Sequence, residues 1–164
     1  MRRFLPIASW LAVVLLISGC AFLQPTPPPE LATTQLWRGR LVLRVDSPQP
    51  QSFASAFELF GNAGAGELTL TTPWGTTVAK LNWSDQAATL RTPTDTRSYA
   101  SFDEMIVQVL GSEIPVNALF SWLKGQPVSA SGWQADLSDL AAGRITAKRT
   151  QPAPLAELRL TLEP

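Results

Sequence analysis

The sequence predicts a mainly β fold of the α+β class: a curved antiparallel sheet with two short helices across one face. Three observations predict it. From Leu36 onward, apolar and polar residues alternate with a period of two over several segments. The links between those segments are short, which favours antiparallel neighbours. At Ser101 the period lengthens to that of a helix, and alternation returns by Leu158.

The first strand runs from Leu36 to Val45. Trp37, Leu41, Leu43 and Val45 share one face, and Arg38, Arg40 and Arg44 the other. Ser52 to Phe60 is the second, with Phe53, Phe57 and Leu59 opposite Ala54, Ala56 and Glu58. Gly61 to Gly66 is a turn-rich loop. Glu67 to Thr72 carries Leu68 and Leu70. Thr76 to Trp83 follows, with Thr77, Ala79, Leu81 and Trp83 in phase, and Ala88 to Thr92 is a short fifth strand.

A capping box then opens a helix, with Ser101 at the N-cap and Glu104 three residues on. Met105, Ile106, Val109 and Leu110 follow at helical spacing, and Gly111 ends it. A second helix is expected from Pro115, which suits the first helical position, to Lys124. Val116, Leu119, Phe120, Trp122 and Leu123 make it apolar on most sides, and Gly125 closes it. Leu158, Leu160 and Leu162 alternate with polar residues in a closing strand. Trp133 to Ala135 and Arg144 to Lys148 are two further strand candidates. The helices carry a surplus of large apolar side chains for their length. Either these fill an ordinary core, or sheet and helices enclose an apolar cavity.

Composition excludes several functions. The chain of 164 residues has room for one domain. Thirteen basic residues balance thirteen acidic ones, against the basic surplus that nucleic acid requires. The absence of His removes the commonest general base and metal ligand. A single Cys allows neither an intrachain disulfide nor a Cys-rich zinc site. Ser–Lys dyads and paired carboxylates remain possible on composition alone, though no catalytic residue, metal or cofactor is expected. Ser121 and Lys124, three apart at a helix end, have the spacing of a Ser–Lys dyad, but two solvent-facing helix residues explain them more simply. Asp103 and Glu104 suit a helix N-terminus, where negative charge is favoured.

The first residues read as an address. Arg2 and Arg3 precede a mainly apolar run from Leu5 to Ile17, too short for a membrane span of about 20 residues. Residues 1–19 are therefore expected to be a signal peptide. Leu16-Ile17-Ser18-Gly19-Cys20 resembles the lipobox of bacterial lipoproteins. That resemblance implies lipidation at Cys20, cleavage after Gly19 and acylation of the new amino terminus. One acyl chain anchors only marginally, and several hold a protein on a bilayer. Ala21 follows where an Asp would retain many lipoproteins at the inner membrane, which favours the outer membrane. Residues 20–35 read as the lipidated Cys and a tether, with prolines at 25, 27, 28 and 29, extended at about 3.1 Å per residue. Residues 36–164 are the expected binding domain.

The body of the chain resembles the LolB family of outer-membrane lipoproteins. The likeness lies in Asp103-Glu104-Met105-Ile106, Leu110-Gly111, Ile114-Pro115-Val116, Leu119, Trp122-Leu123 and Gly125-Gln126-Pro127. The run Leu70-Thr71-Thr72-Pro73-Trp74-Gly75-Thr76-Thr77 resembles the family's strand–loop–strand. The likeness spans about Trp37 to Pro127. It implies an incomplete, strongly curved β-barrel closed by short helices around a hydrophobic cavity. It also implies a monomer without catalysis, which accepts the acyl chains of client lipoproteins from a periplasmic LolA-like carrier and delivers them to outer-membrane lipid. The matching cavity positions are Leu41, Leu43, Phe57, Leu68, Leu70, Leu81, Met105, Ile106, Val109, Leu119, Trp122 and Leu123. Met105 is the most adaptable of these.

The resemblance also implies that an apolar residue on the loop Pro73-Trp74-Gly75 projects into solvent and assists insertion. The residues give a separate reason, because Pro-Trp-Gly sets a large amphipathic ring where a turn is normally polar. From Gln126 to Thr150 the chain is shorter than in longer members, so fewer strands or a more open side is expected. The competing reading is a structural outer-membrane lipoprotein that scaffolds an envelope assembly. It would have a filled core and no acyl binding.

Overall fold

A computed structural model of the chain describes residues 35–164. The expected signal peptide, Cys20 and the tether up to residue 34 lie outside the described residues. Gln35, assigned above to the tether, is already the first residue of a strand.

The elements in order are β1 (Gln35–Asp46), β2 (Gln51–Gly61), β3 (Gly66–Thr71), β4 (Thr77–Ser84), β5 (Ala87–Arg91), β6 (Thr96–Tyr99), α1 (Phe102–Leu110), α2 (Val116–Leu123), β7 (Trp133–Asp136), β8 (Arg144–Arg149) and β9 (Leu155–Leu162). All nine strands belong to one sheet, ordered β6-β5-β4-β3-β2-β1-β9-β8-β7. Every pairing is antiparallel. Among the described residues the sheet does not close on itself, because β6 and β7 each have a strand on one side only.

Register explains which face is apolar. Trp37 pairs with Leu59, Leu59 with Leu68, Leu68 with Leu81 and Leu81 with Leu90. Directly paired residues point to the same side of a sheet, so this row lies on one face. Leu41–Leu160–Ile145 and Leu43–Leu158–Ala147 extend that face across β9 and β8. Gly39 lies in the same phase of β1, and a Cβ there would meet the Thr161 carbonyl at 2.0 Å. Only glycine permits so close an approach of β1 and β9.

The helices cover the concave side. Ser101 Oγ accepts from the Glu104 N–H at 3.1 Å, as a capping box requires. The Glu104 carboxylate reaches one residue further back than expected and accepts from the Ala100 N–H at 2.9 Å. Gly111 ends α1 in the left-handed region, with its N–H donating to the Val107 carbonyl. Pro115 stands at the N-cap of α2 with extended backbone, rather than at the first helical position. The segment between the helices is tied to the far sheet edge. Arg149 Nη1 donates to Ser112 Oγ at 2.8 Å, and Trp133 Nε1 donates to the Glu113 carbonyl at 2.8 Å. With α1 packed on β5 and β6, the helical segment bridges the gap that the strands leave open.

β6 was not expected. Thr96-Arg97-Ser98-Tyr99 has no apolar alternation, because an edge strand with one neighbour needs little. The two C-terminal candidates are real strands, so the shortened C-terminal region still supplies β7, β8 and β9.

Candidate functional site

The concave face is not filled. A cavity of about 280 Å³ lies between sheet and helices. That exceeds a packing defect of about 150 Å³, the size that stays dry in an engineered core. Among the described residues its walls are apolar apart from Thr92, and no titratable side chain lines it. An apolar hollow offers water few hydrogen-bond partners and lacks dispersion contacts across the gap, which an apolar ligand would supply.

Of the twelve positions expected at a cavity, Leu41, Leu43, Phe57, Leu68, Leu70, Leu81, Met105, Ile106, Val109, Leu119 and Leu123 line it. Trp122 does not, which corrects the expectation. It is fully buried, its Nε1 donates to the Val128 carbonyl at 2.7 Å, and its ring packs 6.3 Å from that of Trp133. The apolar surface of α2 thus has two uses. Leu119 and Leu123 face the void, and Trp122 faces a solid layer against β7.

Other lining residues went unassigned from sequence. Phe53 and Leu59 share the phase of Phe57, and Leu158 and Leu160 share a face on β9. Their alternation was the available signal. Val78 had no such signal, being out of phase with Ala79. A bulge between β3 and β4 shifts the register from Leu70–Ala79 to Thr71–Thr77, and both Val78 and Ala79 reach the cavity. Bulges re-aim side chains in this way.

The two ends of the cavity differ. Where β1 begins and the β2–β3 hairpin turns, aromatic rings cluster. Trp83 lies 4.9 Å from Phe102 and 6.3 Å from Phe120, and Trp37 lies 5.4 Å from Phe120. Trp83 Nε1 is satisfied by the Asn62 carbonyl at 3.1 Å. At the opposite end, Phe53, Val78 and Thr92 bring the lining out to the rim.

The β3–β4 hairpin turns at this rim. The Thr72 carbonyl accepts from the Gly75 N–H at 2.9 Å, and the Thr76 carbonyl from the Thr72 N–H at 2.8 Å. Gly75 has φ +83°, which the tight three-residue loop requires. Pro73 fixes the chain just before Trp74. The result is a tight loop with Trp74 90% exposed at its tip. Among the described residues this is far the most exposed large apolar side chain, since the next reaches 46%.

Ser121 and Lys124 form no site. Ser121 Oγ donates to the Asn117 carbonyl at 3.0 Å within the helix, and Lys124 is exposed.

The family model for Outer membrane lipoprotein LolB matches residues 36–153, well past Pro127, where the legible likeness ended. Outer-membrane lipoprotein LolB of Bordetella petrii is 28% identical over 183 residues, covering 95% of this chain and 92% of the relative. The Ralstonia nicotianae protein of the same name is 31% identical over 120 residues, covering 68% of this chain and 57% of its own. That of Sodalis glossinidius is 30% identical over 148 residues, covering 82% and 69%. The matched part is thus under two thirds of the Ralstonia relative but nearly all of the Bordetella one. With an open, curved sheet around an apolar cavity and a family match over most of its length, this chain belongs to the LolB family of outer-membrane lipoproteins.

Proposed function

We propose that the chain is a lipid-anchored protein on the periplasmic face of the outer membrane. It accepts acylated lipoproteins from a LolA-like carrier and inserts them into outer-membrane lipid. In this reading residues 1–19 are removed, Cys20 carries the lipid, residues 20–35 form the tether, and residues 36–164 bind the client's acyl chains.

The observation that carries the proposal is the apolar cavity between sheet and helices. Each methylene moved from water into such a space gains about 0.8 kcal/mol. A free acyl chain in the periplasm is therefore costly, and a hand-off from one cavity to another avoids it. No bond is made or broken in this task, so no catalytic residue is assigned. Trp74 stands at the open rim, where an amphipathic ring suits the headgroup region of a bilayer. The scaffold reading calls for a filled core, and the cavity weighs against it.

The test uses the mature chain with Cys20→Ala, mixed with carrier loaded with an acylated lipoprotein. Pull-down should find the client on this chain. A client that stays on the carrier, with this chain shown to be folded, would refute the acceptor role and favour the scaffold.

A further inference from the structure

The row that floors the cavity has an unused end. Leu68, Leu81 and Leu90 are paired across β3, β4 and β5, and Leu90 is paired in turn with Arg97 on the edge strand β6. Paired residues share a face, so Arg97 stands on the cavity side of the sheet. Ala88, buried on that face, is paired with Tyr99. A second, polar pocket lies there, between β6 and α1. It shares Leu90, Thr92 and Val109 with the apolar cavity and adds Thr94, Asp95, Arg97, Tyr99 and Gln108. The apolar floor therefore runs into a cluster of polar groups at the surface, with the Arg97 side chain 67% exposed.

We propose that this annex holds the polar end of the bound acyl group, namely the glyceryl ester and amide carbonyls of an acylated cysteine. The inference rests on the acyl-cavity reading above. Arg97 donates through Nε to Asp95 Oδ2 at 2.6 Å, and a guanidinium has five N–H donors, so the fork retains others. Gln108 gives one N–H to Glu104 at 2.9 Å, and its amide carries a second. Thr92 and Thr94 add hydroxyls. Because Asp95 sits against Arg97, the annex is rich in donors yet balanced in charge. That suits neutral carbonyl oxygens better than a phosphate. An acyl chain seated in the cavity must end at a carbonyl, and the annex begins where the apolar lining stops.

The test measures binding to the mature Cys20→Ala chain of three probes: a triacylated cysteinyl lipopeptide, a diacyl phospholipid and a long-chain hydrocarbon dye. Arg97→Leu with Gln108→Leu should weaken the lipopeptide about tenfold, the scale of one or two lost hydrogen bonds, and leave the dye unchanged. Gln108→Leu alone, at an exposed helical position, should give a smaller loss in the same direction. Unchanged lipopeptide binding, or equal loss for lipopeptide and dye, would overturn the annex. Loss confined to the phospholipid would also overturn it, in favour of a membrane-lipid site. If the unsubstituted chain binds neither lipopeptide nor dye, the acyl-cavity reading itself falls, and the annex with it.

Discussion

Trp74 is held out by its neighbours rather than by contacts of its own. Pro73 and Gly75 shape the loop, and the ring touches little. Trp74→Glu should therefore change stability by no more than about 0.5 kcal/mol, as exposed substitutions do. It should leave uptake of client from the carrier intact while slowing transfer to vesicles. Failure to take up client at all would show that the residue serves the cavity rather than the membrane. Its exposure was legible from the Pro-Trp-Gly turn together with the resemblance, since the turn by itself also allows the ring to fold back onto the sheet. Arg149 was not legible. Nothing in Arg144 to Arg149 marks the last cation as buried, yet it is 6% exposed, its Nε has no partner among the described residues, and Ser112 Oγ takes one Nη hydrogen. Ser112→Ala should cost about 1–3 kcal/mol in denaturant melts, because it strands another buried donor. Arg149→Met, of similar bulk, should cost less, since it also removes the desolvation of the charge.

At the scale of elements, α2 separates two roles that its sequence merges. Its apolar residues surround most of the helix, so periodicity could not say which faced a void. Leu119 lines the cavity and is only partly buried, whereas Trp122 is fully enclosed against Trp133. Leu119→Glu should abolish binding of an acyl dye, because a charge in an apolar site is expensive to desolvate. Trp122→Ala should lower stability by about 3–5 kcal/mol, the range for a large aromatic lost from a core. Dye titration alongside urea melts distinguishes the two, and a neutral Leu119→Glu would mean that α2 is turned otherwise. The strands β1 to β5 were legible because alternation, turn residues and short links all agreed. β6 was hidden, since an edge strand needs no apolar pattern, and Val78 was hidden by a bulge that breaks the phase.

The whole molecule is a curved sheet whose open side is closed by two short helices and their linker. Composition could not decide between a filled core and a hollow one, because both need the same residues. Only the placement of the helices against the sheet distinguishes them. The hollow has a uniform chemistry. Among the described residues its lining has no titratable group, and the chain has no His. Affinity for a neutral acyl dye should therefore stay flat between about pH 5 and pH 8, the range in which His titrates. A pronounced pH dependence in fluorescence titrations would place an ionisable group in the path of the ligand.

Aromatic rings cluster at one end of the cavity, and its lining reaches the surface at the other. On the proposed function, one rim then has two appointments: an acyl chain that enters there tail first leaves there head first. Carrier and bilayer would take turns at that rim, and the loaded protein would be an intermediate with a lifetime of its own.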